Sequence, residues 1–110
     1  IIDYNGLQID GPISEVGGPE PIDEKVKAFG FDVQVIDGND FDQIEEAFRH
    51  AKTVKGRPSA IVAKTIKGKG VDYMENKVEW HGKAPNAGEY AAAKSILDAQ
   101  IIKLESECNG

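Results

Sequence analysis

Three short stretches of this chain carry side chains suited to gripping a multiply charged anion and its counter-ion. Asn5-Gly6-Leu7-Gln8-Ile9-Asp10-Gly11 directly follows the apolar run Ile1-Ile2-Asp3-Tyr4, so an amide oxygen stands at the end of a predicted β-strand. A second apolar run, Ser59 to Ile66, empties into Lys67-Gly68-Lys69-Gly70, which sets a cation beside glycines at another strand end. Glu79-Trp80-His81-Gly82 adds an imidazole fixed between an aromatic residue and a glycine. A neutral oxygen ligand and a cation at two strand ends suit a metal-bound phosphate, and parallel α/β sheets bind ligands at that edge.

Each stretch also has a plainer reading. Asn-Gly between alternating residues is a strong hairpin signal, so Ile1 to Tyr4 could pair with Leu7 to Asp10. Gly11-Pro12 would cut that returning strand short, and the downstream pattern prefers a parallel neighbour. Lys67-Gly68-Lys69-Gly70 could be a solvated basic turn; it lacks the spacing of a Walker A loop, so nucleotide hydrolysis has no support. A lone histidine such as His81 can equally be a packed or surface residue, and His50, on the outer side of a helix, is assigned no role. The carboxylates are scattered over helix surfaces, and Ser95, Ser106 and Cys108 have no histidine that spacing can bring to them, so nucleophilic catalysis is unsupported.

The elements that would position these groups follow from periodicity. After a proline- and glycine-rich loop over 11–21, a short helix runs from Pro21 to Phe29 with Ile22, Val26 and Phe29 on one face, and Gly30 follows as a residue able to take positive φ. Phe31 to Ile36 alternates as a half-buried strand closed by Asp37-Gly38, with Asn39 read as a turn residue. Asp40 and Gln43 form a capping box for a helix carrying Phe41, Ile44, Ala47, Phe48 and Ala51, which ends near Lys55-Gly56. Residues 59–66 read as an inner parallel strand. Residues 67–85 have glycines and no period, which predicts a long ordered loop or a lid. Asn86 and Glu89 form a second capping box, opening a helix from 87 to about 106 with Tyr90, Ala93, Leu97, Ile101 and Leu104 along one stripe. Strand, helix, strand, helix, strand, helix is the order of a doubly wound α/β fold, a parallel sheet with helices on both faces.

Composition narrows the classes. The chain has 110 residues, 40% hydrophobic and 29% charged, which fits one globular core and not a disordered segment. A net charge of -6 argues against a nucleic-acid or membrane-surface binder. With one cysteine there is no intrachain disulfide and no zinc framework, and the first residues lack the pattern of a signal peptide; a cytoplasmic protein is expected. The start within a strand, without methionine, leads us to expect a piece of something longer.

Read together, Asp3 to Gly11, Ala28-Phe29-Gly30, Ile36-Asp37-Gly38-Asn39-Asp40, Ala63 to Gly70 and Glu79-Trp80-His81-Gly82-Lys83 resemble transketolase over nearly the whole chain. They are similar to the second half of its diphosphate-binding domain, in the version whose thiamine-diphosphate-binding and pyrimidine-binding domains are separate polypeptides. That resemblance implies a partial thiamine-diphosphate/Mg²⁺-binding domain over residues 1–110. Asn5 would bind Mg²⁺ through its side-chain oxygen and Leu7 through its backbone carbonyl, with Gly6 permitting the close turn. Ile9 would lie against the thiazolium or its linker, Ile66 and Lys67 beside the diphosphate, and His81 would reach both diphosphate and sugar as the catalytic histidine. It implies ketol transfer between sugar phosphates, by an assembly in which this chain meets a second copy of itself and two pyrimidine-binding subunits. A deoxyxylulose-phosphate synthase, a dihydroxyacetone synthase and a non-catalytic α/β interaction module are the alternatives. The chain departs from the family pattern where Asn39 stands in place of a histidine, and it lacks the family's Gly-Asp-Gly aspartate, its upstream channel histidines and the glutamate of the pyrimidine domain.

Overall fold

The apolar runs pair in parallel with their ends level, and that alignment sets the working edge of the molecule. The structure, a computed structural model, describes residues 1–108. The elements are β1 (Ile2–Tyr4), β2 (Leu7–Gln8), β3 (Gly11–Pro12), α1 (Ile22–Ala28), β4 (Asp32–Asp37), α2 (Phe41–Thr53), β5 (Ser59–Lys64), a 3₁₀ turn (Val78–His81) and α3 (Ala87–Cys108). β5 lies between β1 and β4, parallel to both. Its apolar sequence follows from that central place: Ala60, Ile61 and Val62 are buried.

The chain steps from β1 over β5 to β4, then back to β5, so right-handed crossovers must put α1 and α2 on opposite faces. Side chains agree. Gln34 donates from Nε2 to the Ala47 carbonyl at 3.0 Å, placing α2 on the Gln34 face, whereas Ile22 of α1 shares a cavity wall with Val35 and Val62 on the other. The expected doubly wound architecture is thus the observed one.

Tyr4, Lys64 and Asp37 stand level at the carboxyl edge. Beyond them the pairing continues, with Thr65 N–H donating to the Tyr4 carbonyl at 3.2 Å and Gly38 N–H to the Lys64 carbonyl at 2.7 Å. Gly38 must be glycine here, because a Cβ would lie 2.6 Å from Thr65 Cγ2 and 2.8 Å from Ala63 Cβ. At the opposite edge Asp32 accepts from Arg57 Nη2 at 2.7 Å and meets His50 Nε2 at 2.7 Å. His50 therefore has a structural part that its place on the helix did not reveal: it ties the end of α2 to the start of β4.

Several boundaries and faces differ from the sequence pattern. Asn5-Gly6 does not turn a hairpin. The hairpin pairs Leu7 with Pro12 and Gln8 with Gly11 around Ile9-Asp10, because β1 already has β5 as its partner. Phe29, just after α1, and Phe41, at the start of α2, are 82% and 86% exposed, and the buried residue of α2 is the small Ala47. On α3 only Ala93 is buried among the described residues, and Tyr90, Ile101 and Leu104 of the expected stripe are exposed. The molecule is correspondingly flat, 49 × 44 × 15 Å.

Candidate functional site

Asn5 opens the first segment of the site. Its side-chain oxygen accepts from the Leu7 N–H at 3.0 Å, an Asx-turn that Gly6 completes at φ 74°. An amide oxygen has two lone pairs, so one stays available to a cation. Ile13 N–H donates to the Gly6 carbonyl at 3.0 Å, and Gln8 Nε2 to the Val16 carbonyl at 3.0 Å, which fasten the hairpin to the loop behind it.

Lys67 follows β5 by three residues and is held from both sides. Ile66 N–H donates to Asn39 Oδ1 at 3.0 Å, and the Lys67 carbonyl accepts from Asn76 N–H at 2.9 Å. The second bond closes the segment 67–76 on itself, with Asn76 at φ 56° and Gly68 at φ 74°. A Cβ on Gly68 would stand 2.7 Å from the Met74 carbonyl oxygen, so the loop packs against that position. An ordered loop, the first of the two sequence expectations, is what these bonds build.

His81 ends the 3₁₀ turn, which packs against β2. Trp80 Nε1 donates to the Tyr73 carbonyl at 3.1 Å, and the two rings stand 5.3 Å apart. Lys83 Nζ lies 4.0 Å from the Trp80 ring centre and 2.8 Å from Glu89 Oε1. Glu89 returns its other oxygen to Asn86 N–H at 2.8 Å, while Asn86 Oδ1 accepts from Glu89 N–H at 2.9 Å, the reciprocal pair expected of the capping box. The Lys83 bond, followed by the Asn86 bond, holds the Glu89 carboxyl below its ordinary range.

These segments meet. Asn5, Leu7, Gln8, Ile9, Lys67 and His81 line one cavity of about 450 Å³ at the carboxyl edge. Of the predicted residues, Gly6 and Ile66 are not in its wall; Gly6 shapes the turn between Asn5 and Leu7, and Ile66 fixes the backbone just before Lys67. Neither the Lys67 ammonium nor the His81 imidazole has a hydrogen-bond or ion-pair partner among the described residues. A free cation, an imidazole and amide oxygen over an apolar Ile9 are a donor set for an anion with a bound hard metal, since Mg²⁺ takes few ligands from protein and the rest from phosphate and water. No cluster of three or more His, Cys, Asp or Glu able to hold a metal occurs among the described residues.

A second cavity, of about 400 Å³, opens beside α1 between Tyr4, Ile22, Val35, Val62 and Lys64. The Tyr4 hydroxyl is engaged by the Glu20 carboxylate there, and this bond, helped by burial, raises the Tyr4 pKa.

Sequence reasoning read Asn39 only as a turn residue, missing its bond to Ile66, and gave no part to Gln8 or to the Tyr73–Trp80–Lys83–Glu89 group. For that group the local signal was the capping box, which already placed Glu89 in the first turn of α3 near Lys83.

Known proteins share this arrangement of sequence. The family model described as "Transketolase, thiamine diphosphate binding domain" matches residues 1–103. The chain is 39% identical over 110 residues to one of the subunits of the apulose-4-phosphate transketolase of Phocaeicola vulgatus, covering all of this chain and 39% of that protein. It is 41% identical over 105 residues to the 6-deoxy-6-sulfo-D-fructose transketolase subunit SqwG of a Clostridium species, covering 96% of this chain and 36% of that one. The crystal structure of transketolase from Campylobacter jejuni superposes with a TM-score of 0.77 at 30% identity, over 84% of this chain and 14% of the other. The chain thus spans under two fifths of these two curated relatives. By its sequence and its fold the chain belongs to the transketolase family, in the thiamine-diphosphate-binding domain.

Proposed function

We propose that this chain grips the Mg²⁺-diphosphate end of thiamine diphosphate and forms part of a transketolase subunit that moves a two-carbon ketol unit between sugar phosphates. The observation that carries the reading is the convergence of Asn5, Leu7, Ile9, Lys67 and His81 on one cavity at the strand ends. When bound, the cofactor supplies the carbanion-stabilising chemistry. The chain's own residues do the rest of the work on this side of the site. Asn5 Oδ1 and the Leu7 carbonyl would hold the metal, and Lys67 would balance the phosphate charge as a compact cation. Ile9, 61% exposed at the cavity mouth, would give a dry wall to the reacting end. His81 would donate to phosphate and exchange protons with substrate hydroxyls.

Two relatives are named as single subunits of transketolases, one for apulose 4-phosphate and one for 6-deoxy-6-sulfo-D-fructose. Those names support a partner that is a separate subunit, which would be the pyrimidine-binding one, and they support ketose sugars as the substrate class.

Calorimetric titration of the full chain with thiamine diphosphate and Mg²⁺ tests the reading. Asn5→Ala and Lys67→Ala should each lose a charge-assisted contact of about 1.5 to 3 kcal/mol, roughly ten- to hundredfold in affinity. Wild-type affinity in both variants would return the two residues to an ordinary solvated turn.

A further inference from the structure

We propose that Lys83 and Glu89 are positioning residues for His81, acting through the Trp80 ring; the inference rests on reading the cavity as a diphosphate site. His81 is exposed at the end of a single 3₁₀ turn, and Lys77, the residue that precedes the turn, gives no side-chain cap. Its imidazole has no hydrogen-bond or ion-pair partner among the described residues, so its place is set by its neighbours in the chain.

Those neighbours form a closed circuit. Tyr73 receives the indole N–H of Trp80 on its carbonyl (3.1 Å) and donates its own hydroxyl to the Glu89 carbonyl (2.7 Å). Lys83 reaches back over the Trp80 ring at 4.0 Å while its ammonium is paired with Glu89 at 2.8 Å. Glu89 is itself locked into the first turn of α3 by the two bonds with Asn86. Trp80, through Tyr73, and Lys83 directly are therefore both fastened to α3, with only His81 and Gly82 between them.

The circuit also separates the two lysines near the site. Lys83 already has a carboxylate and an aromatic face, whereas Lys67 has neither among the described residues and lies in the cavity wall. Lys67 is the phosphate cation; Lys83 is a strut. Exposed cation–π contacts and surface ion pairs add little to stability, so losing them should loosen the geometry of His81 and leave the fold intact.

The experiment uses the full chain with Mg²⁺ and inorganic pyrophosphate as the probe. Lys83→Met and Glu89→Gln, the latter keeping an acceptor for Asn86 N–H, should weaken binding about fivefold. Lys83→Arg should keep wild-type affinity. In a His81→Ala background neither Lys83→Met nor Glu89→Gln should cost anything more, because the strut has nothing left to place. Trp80 is the single tryptophan of the sequence, so its emission should shift in Lys83→Met and stay put in Lys83→Arg. An equal loss with and without His81 would mean that Lys83 meets the phosphate directly, and would overturn the proposal. If the wild type binds no Mg²⁺-pyrophosphate, it is the diphosphate reading that falls. The strut is then judged on the imidazole resonances of His81, which move in Lys83→Met if it exists and stay unchanged if it does not.

Discussion

Asn39 accepts the backbone N–H of Ile66 on its side-chain oxygen at 3.0 Å, joining the turn after β4 to the segment that carries Lys67. The main-chain ladder alone ends at Lys64, bonded to Gly38, and at Thr65, bonded to Tyr4. A side chain thus extends the ladder by one more rung. Asn39→Ala removes the acceptor and should weaken Mg²⁺-pyrophosphate binding roughly two- to tenfold, the worth of one net hydrogen bond of about 0.5 to 1.5 kcal/mol. Asn39→Asp keeps an acceptor and should recover most of that loss at high salt, where its added charge is screened. Titration calorimetry decides; full affinity in Asn39→Ala would show that Lys67 needs no such rung.

The same residue shows what a sequence conceals. Asn39 was legible as a turn residue because Asp37-Gly38-Asn39 is local chemistry, but its bond partner is Ile66, and no spacing rule spans that separation. The capping boxes at Asp40 and Asn86 were legible for the converse reason, each being a contact across three residues. Even there one detail differs: Gln43 Oε1 accepts from Asp37 N–H and its amide donates to Asp40, so it caps the preceding turn instead of the Asp40 N–H. The inner strand was legible from its apolar run. The hairpin was not, because Gly11-Pro12 has no strand signature and pairs only through its fixed register with Leu7-Gln8. Asn5, Lys67 and His81 could be placed together since two of them follow predicted strands directly, while the strut behind His81 depends on ring and ion contacts that only three dimensions supply.

Gly68 should tolerate no side chain. At φ 74° an L residue is strained by about 1 to 3 kcal/mol, and its Cβ would also press on the Met74 backbone. We expect Gly68→Ala to open the 67–76 segment and raise its cleavage by protease while the sheet keeps its protection. Hydrogen exchange measured residue by residue would show this; uniform loss of protection would mean instead that the loop supports the whole domain.

Acid should weaken both helix caps before the rest of the fold. The Asp40 carboxyl is held below its ordinary value of 3.8 by the Gln43 side chain and then its backbone, and Glu89 below 4.5 by Lys83 and then Asn86. A carboxyl whose folded pKa is lowered adds stability that is complete above its unfolded value and is lost as pH falls through the folded one. The amides at the start of α2 and α3 should therefore lose protection progressively below about pH 4.5, and not between about 5 and 8. In Asp40→Asn and Glu89→Gln that dependence should flatten. Exchange rates of the Gln43 and Glu89 amides across this range provide the check, and an unchanged slope in both variants would remove the carboxylates as its cause.

The cavity wall also bears on whether this chain works without a partner. Asn5, Gln8, Lys67 and His81 are its polar side chains, and no carboxylate is among them. Such a wall would suit the anionic, metal-bound end of thiamine diphosphate, and acid–base work on the cofactor's ring would fall to a carboxylate from outside this wall. The full chain should therefore bind cofactor with Mg²⁺ yet turn over no substrate until a pyrimidine-binding subunit supplies that acid. Mixing the purified full chain with its candidate partner, cofactor and Mg²⁺, and following ketol transfer from xylulose 5-phosphate to ribose 5-phosphate, tests this directly. Activity should appear only in the mixture, scale with the limiting component and fall in His81→Ala. Full turnover without any partner would overturn the divided site, whereas binding without turnover in the mixture would leave the divided site standing and move the reaction to another ketose.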